Sequence, residues 1–163
     1  VILFSRPFTV GNFIEMNDIM GEVSEIGVFS TRVNTLDSRK IIIPNNVVIS
    51  KNIINYDANK YRRIQLTVPI AYEADPRKAI AELYDITKTF KGIENDRIPF
   101  INIMSYGNSS VNIEYLVWTE NKGYHDYYNT RGNLMQYIIE RFSEKNIEIP
   151  YNKLDVHFYN CNK

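Results

Sequence analysis

The chain has 163 residues, enough for one ordinary domain or two small ones, and its 44% hydrophobic and 23% charged residues argue against disorder. Nineteen Lys and Arg offset nineteen Asp and Glu, six of each in residues 1–60 and thirteen of each beyond. Neither half therefore carries the basic excess of a dedicated nucleic-acid binder, although a local basic patch stays open. The one cysteine, Cys161, excludes an internal disulfide, and no run of about 20 apolar residues is present to span a bilayer.

The chain opens Val1-Ile2-Leu3-Phe4-Ser5-Arg6-Pro7. On these residues alone the apolar start is either a strand or processed end, or the last turn of a membrane helix. In the second case Arg6 sits at the interface and Pro7 stops the helix. Residues 6–60 read as β. Short apolar or alternating runs at Phe13–Met16, Val23–Phe29, Thr31–Leu36, Lys40–Pro44 and Asn52–Tyr56 are separated by turn residues at 17–21 and 37–39. Gly27 offers a bulge or tight bend, and Val47–Ser50 one helical turn. Strands this short and close together predict a small barrel.

Asp57-Ala58-Asn59-Lys60 is a polar boundary. Beyond it, Tyr61–Tyr72 reads as a long strand with Pro69 at an edge or end. Asp75 and Pro76 open a helix whose face is Ile80, Leu83, Thr87 and Phe90, with Gly92 at its C-terminal stop. Pro99–Ser105 and Ser110–Thr119 form a hairpin. Asp126 caps a second helix reaching about Lys145, striped by Leu134, Met135, Ile138, Ile139 and Phe142 and interrupted by Gly132. Ile147–Ile149 is a short strand. Leu154–Tyr159 alternates, with Leu154, Val156 and Phe158 on one face. The order strand, helix, strand, strand, helix, strand is that of a ferredoxin-like α/β domain, and the chain as a whole is α+β.

Residues for chemistry are sparse. His125 and His157 are far apart and in no metal-ligand spacing, Cys161 has no partner motif, Asp75 is spent as a cap, and Glu94 with Asp96 reads as a solvated loop. Tyr124, Tyr127, Tyr128 and Trp118 have the acidic neighbours Glu120 and Asp126, which suits packing or a subunit interface better than a nucleic-acid stacking platform. No catalytic, cofactor or metal residue is expected, and no enzyme activity.

An ordered set of positions carries a resemblance. It runs Arg6-Pro7-Phe8, Gly11 and Ile14; then Gly21, Val23, Ile26, Thr31 and Asp37; then Ile43-Pro44-Asn45. It continues through Asn52-Ile53-Ile54-Asn55, Arg62-Arg63, Ala71-Tyr72, Val117-Trp118, Ile149-Pro150-Tyr151 and Asp155-Val156. This set resembles the segment after the pore-lining helix in the small-conductance mechanosensitive channel family and covers nearly the whole chain. Asn12 departs from it, since the family usually has an acidic residue there, and the 17–20 turn is less glycine-rich than usual.

The resemblance implies four parts. Residues 1–5 end a truncated pore helix, 6–60 form an Sm-like β domain, 61–150 a ferredoxin-like α/β domain, and 151–163 a strand of an intersubunit barrel with its tail. It marks Arg6, Pro7, Phe8, Gly11, Gly21, Pro44 and Asn45 as motif residues of the β domain and membrane junction, and Leu154, Val156 and Phe158 as the barrel strand. It implies a homo-heptamer in a bacterial or archaeal inner membrane with this part on the cytoplasmic side. Its partners would be the bilayer, reached through upstream helices, and permeating ions and small solutes, with no nucleic acid and no cofactor. The implied activity is opening under membrane tension to release ions and osmolytes in hypo-osmotic shock. Two other readings stand beside it, an Sm-like RNA-binding module and a soluble ligand-binding regulatory domain.

Overall fold

A computed structural model describes residues 7–159. They fall into two compact units. The first is formed by residues up to Arg62 together with Glu120–Asn129, and the second by Arg63–Thr119 with residues from Thr130 onward. The fold is α+β, an antiparallel β unit followed in the chain by an α/β unit.

The first unit is a five-stranded antiparallel sheet. Phe13–Met16 (β1) turns back at Asn17-Asp18, where Asn17 takes φ 52°, a left-handed conformation that Asn tolerates better than most residues. Two residues suffice for this turn, so Ile19 pairs with Met16. Ile19–Ile26 (β2) therefore begins four positions before the strand expected at Val23, and Gly21 lies inside the ladder. Strand β2 also stops at Ile26 rather than Phe29, because the Gly27 N–H bonds to the Ser30 carbonyl at 2.8 Å and closes a tight bend. The register shift falls between Val23 and Glu25, which puts the bulge at Ser24.

Ser30–Thr35 (β3) and Lys40–Pro44 (β4) follow, joined by a turn in which Ser38 has φ 63° and Thr35 Oγ1 accepts the Arg39 N–H at 3.0 Å. Asn45–Ile49 (α1) starts two residues before the expected helical turn. The strand expected over Asn52–Tyr56 shortens to Ile54–Asn55 (β5), paired with Ile14 and Glu15. The order is β4-β3-β2-β1-β5, which leaves β4 and β5 at the edges. Inward-facing Phe8, Ile14, Met16, Val23, Val33, Ile43 and Val48 form one apolar core. Period-two alternation puts the strand members of this set on one face, with Phe8 and Val48 packed against them from outside the strands, and burying each stabilises the unit by about 1.5–3 kcal/mol before entropy is counted.

Tyr61–Ile70 (β6), in the second unit from Arg63 onward, buries Ile64, Leu66, Val68 and Ile70 on the face that alternation predicted. Pro76–Thr89 (α2) is capped by Asp75, whose Oδ1 accepts the Arg77 N–H at 2.9 Å. Its buried face is Ala79, Glu82, Leu83, Ile86 and Thr87, so the seam runs through Ile86 and Glu82, while Ile80 and Phe90 are only half-buried. Phe100–Tyr106 (β7) and Val111–Glu120 (β8) form the expected hairpin, and the sheet order β6-β8-β7 puts β8 in the centre. Tyr124–Glu144 (α3) begins two residues before Asp126, which lies in the first turn rather than at the cap. Gly132 does not break the helix. Leu134, Ile138 and Phe142 are buried, while Met135 and Ile139 line a shallow apolar groove of about 160 Å³ with Pro69 and Ile149.

The strand expected at Ile147–Ile149 does not form. The Glu148 carbonyl accepts the Ala71 N–H at 2.9 Å, but Pro69 on the facing edge has no N–H with which to extend the ladder. Residues 154–159 likewise form no strand in the single chain and are exposed throughout. A polar seam ties α3 to α2. Arg141 Nη2 lies 2.5 Å from Asp85 Oδ2 and 2.5 Å from Glu82 Oε1. The Glu82 oxygen is buried and accepts no aligned hydrogen bond, so that contact is Coulombic. Thr87 shares a 2.8 Å hydrogen bond with the Tyr115 hydroxyl, whose burial pushes its pKa up to about 12.

Candidate functional site

The motif residues of the β unit do three different jobs. Phe8 is a core side chain, 2% exposed, and the neighbouring Pro7 carbonyl accepts a hydrogen bond from Asn55 Nδ2 at 3.2 Å. Arg6, like Val1–Ser5 and Cys161, lies outside the described residues. Gly11 has φ 92°, a conformation that L side chains rarely adopt, and its N–H bonds to the Val23 carbonyl at 2.8 Å. Gly21 has ordinary dihedrals but no room. A Cβ there would meet the Asn34 carbonyl carbon at 2.8 Å and Val33 Cγ1 at 2.9 Å, with the Asn34 oxygen nearer still.

Asn45 follows Pro44, whose φ of −56° and ψ of 136° end β4 and aim the chain into α1. The Asn45 side chain spans the 27–30 bend. Its Nδ2 donates to the Gly27 carbonyl at 2.9 Å and the Val28 carbonyl at 3.0 Å, its Oδ1 accepts from Thr31 Oγ1 at 2.9 Å, and its backbone N–H bonds to the Phe29 carbonyl at 2.9 Å. This side chain holds out a loop tip on which Val28 and Phe29 are exposed. Asn45→Ala is expected to lower stability by about 2 kcal/mol, because two carbonyls and a hydroxyl lose their partner at once. Asn45→Asp is expected to recover little, since a carboxylate cannot donate to the carbonyls. Urea denaturation of both variants checks this.

The aromatic cluster packs inside the first unit. The Tyr124 ring stacks on Phe13 at 4.1 Å, and the Arg62 guanidinium lies 3.7 Å from the Tyr127 ring and 4.8 Å from that of Tyr56. The Tyr56 hydroxyl bonds to the Glu15 carboxylate, which pushes its pKa up to about 12. Beside the cluster lies a cavity of about 360 Å³ whose lining includes Glu22, Asp57, Lys122, Tyr124, His125 and Asp126. Asp57 Oδ2 accepts the Phe13 N–H at 2.6 Å, and no group of His, Cys, Asp or Glu able to hold a metal ion occurs among the described residues. In the second unit, the Arg97 guanidinium covers the Trp118 ring at 4.7 Å. These stacking partners come from distant parts of the chain, and no local pattern pairs them.

Among the described residues, three features leave bonding capacity unused in a single copy. Strands β4 and β5 are sheet edges, and Ile42 and Ile54 on them are exposed. Strand β7 is one edge of the second sheet, with Phe100, Ile103, Met104 and Tyr106 exposed. Leu154, Val156 and Phe158 are 88%, 61% and 92% exposed on the tail. Apolar strand edges and alternating apolar tails of this kind invite pairing with another chain. His157 lies on the same tail, 3.4 Å from Asp155.

A family model described as "Mechanosensitive ion channel, beta-domain" matches residues 1–58, and one described as "Mechanosensitive ion channel MscS, C-terminal" matches residues 64–149. The chain belongs to the MscS family of mechanosensitive ion channels. It is 33% identical over its whole length to a small-conductance mechanosensitive channel of Edwardsiella ictaluri, covering 56% of that protein. It is 30% identical over 98% of its length to one of Helicobacter pylori, covering 58% of it. Among solved structures, the closed state of Helicobacter pylori MscS superposes with a TM-score of 0.88 at 31% identity, over 98% of this chain and 62% of that one. Arabidopsis thaliana MSL1, at 18% identity, shares the fold with a TM-score of 0.78 over 92% of this chain and 55% of that one. The chain thus spans little more than half the length of its MscS relatives. No helix among the described residues is long and apolar enough to cross a membrane.

Proposed function

We propose that this chain forms the cytoplasmic wall of a mechanosensitive channel that opens under membrane tension and releases ions and small osmolytes in hypo-osmotic shock. In this reading residues 1–5 end the pore helix, 6–60 are the Sm-like β domain, 61–150 the α/β domain and 151–163 the barrel strand and tail. Tension favours the open state because that state occupies more bilayer area, and the population shifts accordingly. The channel works as a homo-oligomer, a heptamer, in a bacterial or archaeal inner membrane.

The observation that carries the reading is the set of unused edges. Strands β4 and β5 bound an open five-stranded sheet, and the apolar alternation of the tail faces solvent. Identical neighbours arranged around an axis satisfy every such edge, and a head-to-tail interface that closes makes a ring. The family's channel function supports an axis that runs through a pore. Balanced charge, nineteen of each sign, favours a wall with weak discrimination between anions and cations. The same balance weighs against the RNA-binding alternative, for which a steep salt dependence of RNA binding would be the sign.

Patch recordings on the complete protein in liposomes test the function, and absence of tension-gated current would overturn it. Light scattering tests the assembly. A mass near seven times the 19.1 kDa of the chain is expected, and Phe158→Asp is expected to shift the population to smaller species, since a charge on the apolar face cannot be buried in a barrel.

A further inference from the structure

Among the described residues, a single tail position ties the exposed segment to the α/β unit. The Lys153 backbone N–H donates to Ser109 Oγ at 3.0 Å, in the loop between β7 and β8. The Lys153 ammonium lies 2.8 Å from Glu73, in the loop between β6 and α2, and 3.5 Å from Glu148, just before the tail. The Tyr72 hydroxyl donates to the Gly107 carbonyl at 2.7 Å and links the first two of these loops to each other. Three separate pieces of chain therefore meet at Lys153, and among the described residues beyond it the tail keeps the contact between His157 and Asp155.

We propose that Lys153 is the positioning residue of the tail: it fixes where and in which direction residues 154–159 leave the α/β unit, and so sets Leu154, Val156 and Phe158 for pairing with neighbouring copies. The pairing half of this statement rests on the assembly reading above, and the anchoring half stands without it. A strand that must join a closed ring gains from a fixed exit, because a tail free to swing gives up more conformational entropy on pairing. The chemistry is that of a lysine shared between two carboxylates. The hydrogen bond from Lys153 holds the Glu73 carboxyl below its ordinary pKa, and the Glu73 carboxylate in turn raises the Lys153 ammonium. Because the carboxyl pKa is lowered, the hold is complete above the ordinary carboxylate range and fades as pH falls through the lowered value. All three side chains are largely solvated, so salt also weakens it.

Hydrogen exchange by mass spectrometry on the intact protein tests the anchor, with the assembled fraction and the unfolding midpoint measured on the same samples. In Lys153→Met, exchange across residues 151–154 is expected to rise about fivefold at low salt, the upper end for exposed ion pairs. Lys153→Arg is expected to exchange like the wild type, and wild type in about 1 M salt to approach Lys153→Met. The assembled fraction is expected to fall in Lys153→Met and recover in Lys153→Arg, with the unfolding midpoint unmoved in both. Equal exchange in wild type and Lys153→Met at low salt would overturn the anchor. Faster exchange with an unchanged assembled fraction would overturn its role in pairing. If the wild type does not assemble, the assembly reading fails, and the exchange rates still decide the anchor.

Discussion

Arg141→Met is expected to destabilise the α/β unit by about 3 kcal/mol, the effect of stranding a buried charge. Arg141 is only 15% exposed and holds Glu82 of α2, itself 9% exposed, together with the more solvated Asp85. It also donates to the Tyr137 hydroxyl at 3.0 Å and the Thr89 hydroxyl at 3.3 Å. Removing the guanidinium takes the partner from a carboxylate that has already lost its water, and leaves two hydroxyls and Asp85 to re-pair with solvent. Asp85 recovers its hydration cheaply, whereas Glu82 does not.

A second substitution separates this mechanism from lost packing. Glu82→Leu in the Arg141→Met background is expected to restore most of the stability, because no buried charge then remains. Arg141→Lys is expected to fall between the two, since an ammonium keeps the charge but cannot reach Glu82, Asp85 and Tyr137 with one planar fork. Urea denaturation followed by far-UV circular dichroism measures all three against the wild type. A loss below about 1 kcal/mol in Arg141→Met would mean that the seam is hydrated and that Glu82 is not stranded.

Gly21→Ala is expected to cost about 3 kcal/mol, an unusually large penalty for a single methyl group. The position sits in β2 between β1 and β3, paired with Ile14 on one side and Thr35 on the other. A Cβ meets the Asn34 backbone and Val33 Cγ1 at distances that real side chains do not occupy, and a backbone carbonyl in a ladder cannot rotate away. The strands must separate, which weakens ladder hydrogen bonds and the packing of the fully buried Val33 together. Gly21→Val is expected to be worse still, although Val favours strands, because the obstacle is the first carbon rather than the branch.

Gly11→Ala provides the contrast. Nothing lies within 4 Å of a Cβ there, so only the positive φ opposes it, at about 1–2 kcal/mol. Thermal or urea unfolding of the two alanine variants side by side distinguishes a steric glycine from a conformational one. Equal losses at both positions would overturn this assignment of roles.

Much of the architecture was legible before any coordinates. Short apolar runs bounded by turn residues located Phe13–Met16 and Lys40–Pro44, and period-two alternation located the buried face of β6, because alternation is itself the geometry of a strand with one face in a core. Asp75-Pro76 marked a helix start, because the aspartate satisfies a free N–H and the proline has none to lose. The structure departs from these expectations at turns and at Ile147–Ile149, where no strand forms. Asn17-Asp18 closed a hairpin in two residues, and Pro44 launched α1 earlier than the apolar run suggested.

The sequence by itself determined the strand and helix order, the balance of charge, and the ordered set of positions that points to the MscS family. Each of these depends only on neighbouring residues or on their spacing. Only the tertiary structure decided that Gly21 is steric, that Asn45 clasps the 27–30 bend, that the buried Glu82 carboxylate is held by Arg141, and that Lys153 gathers three pieces of chain. Apart from Lys153 with Glu148, those roles belong to pairs 12 to 80 residues apart, brought together by a folded backbone, and no local pattern encodes which distant partner a side chain will meet.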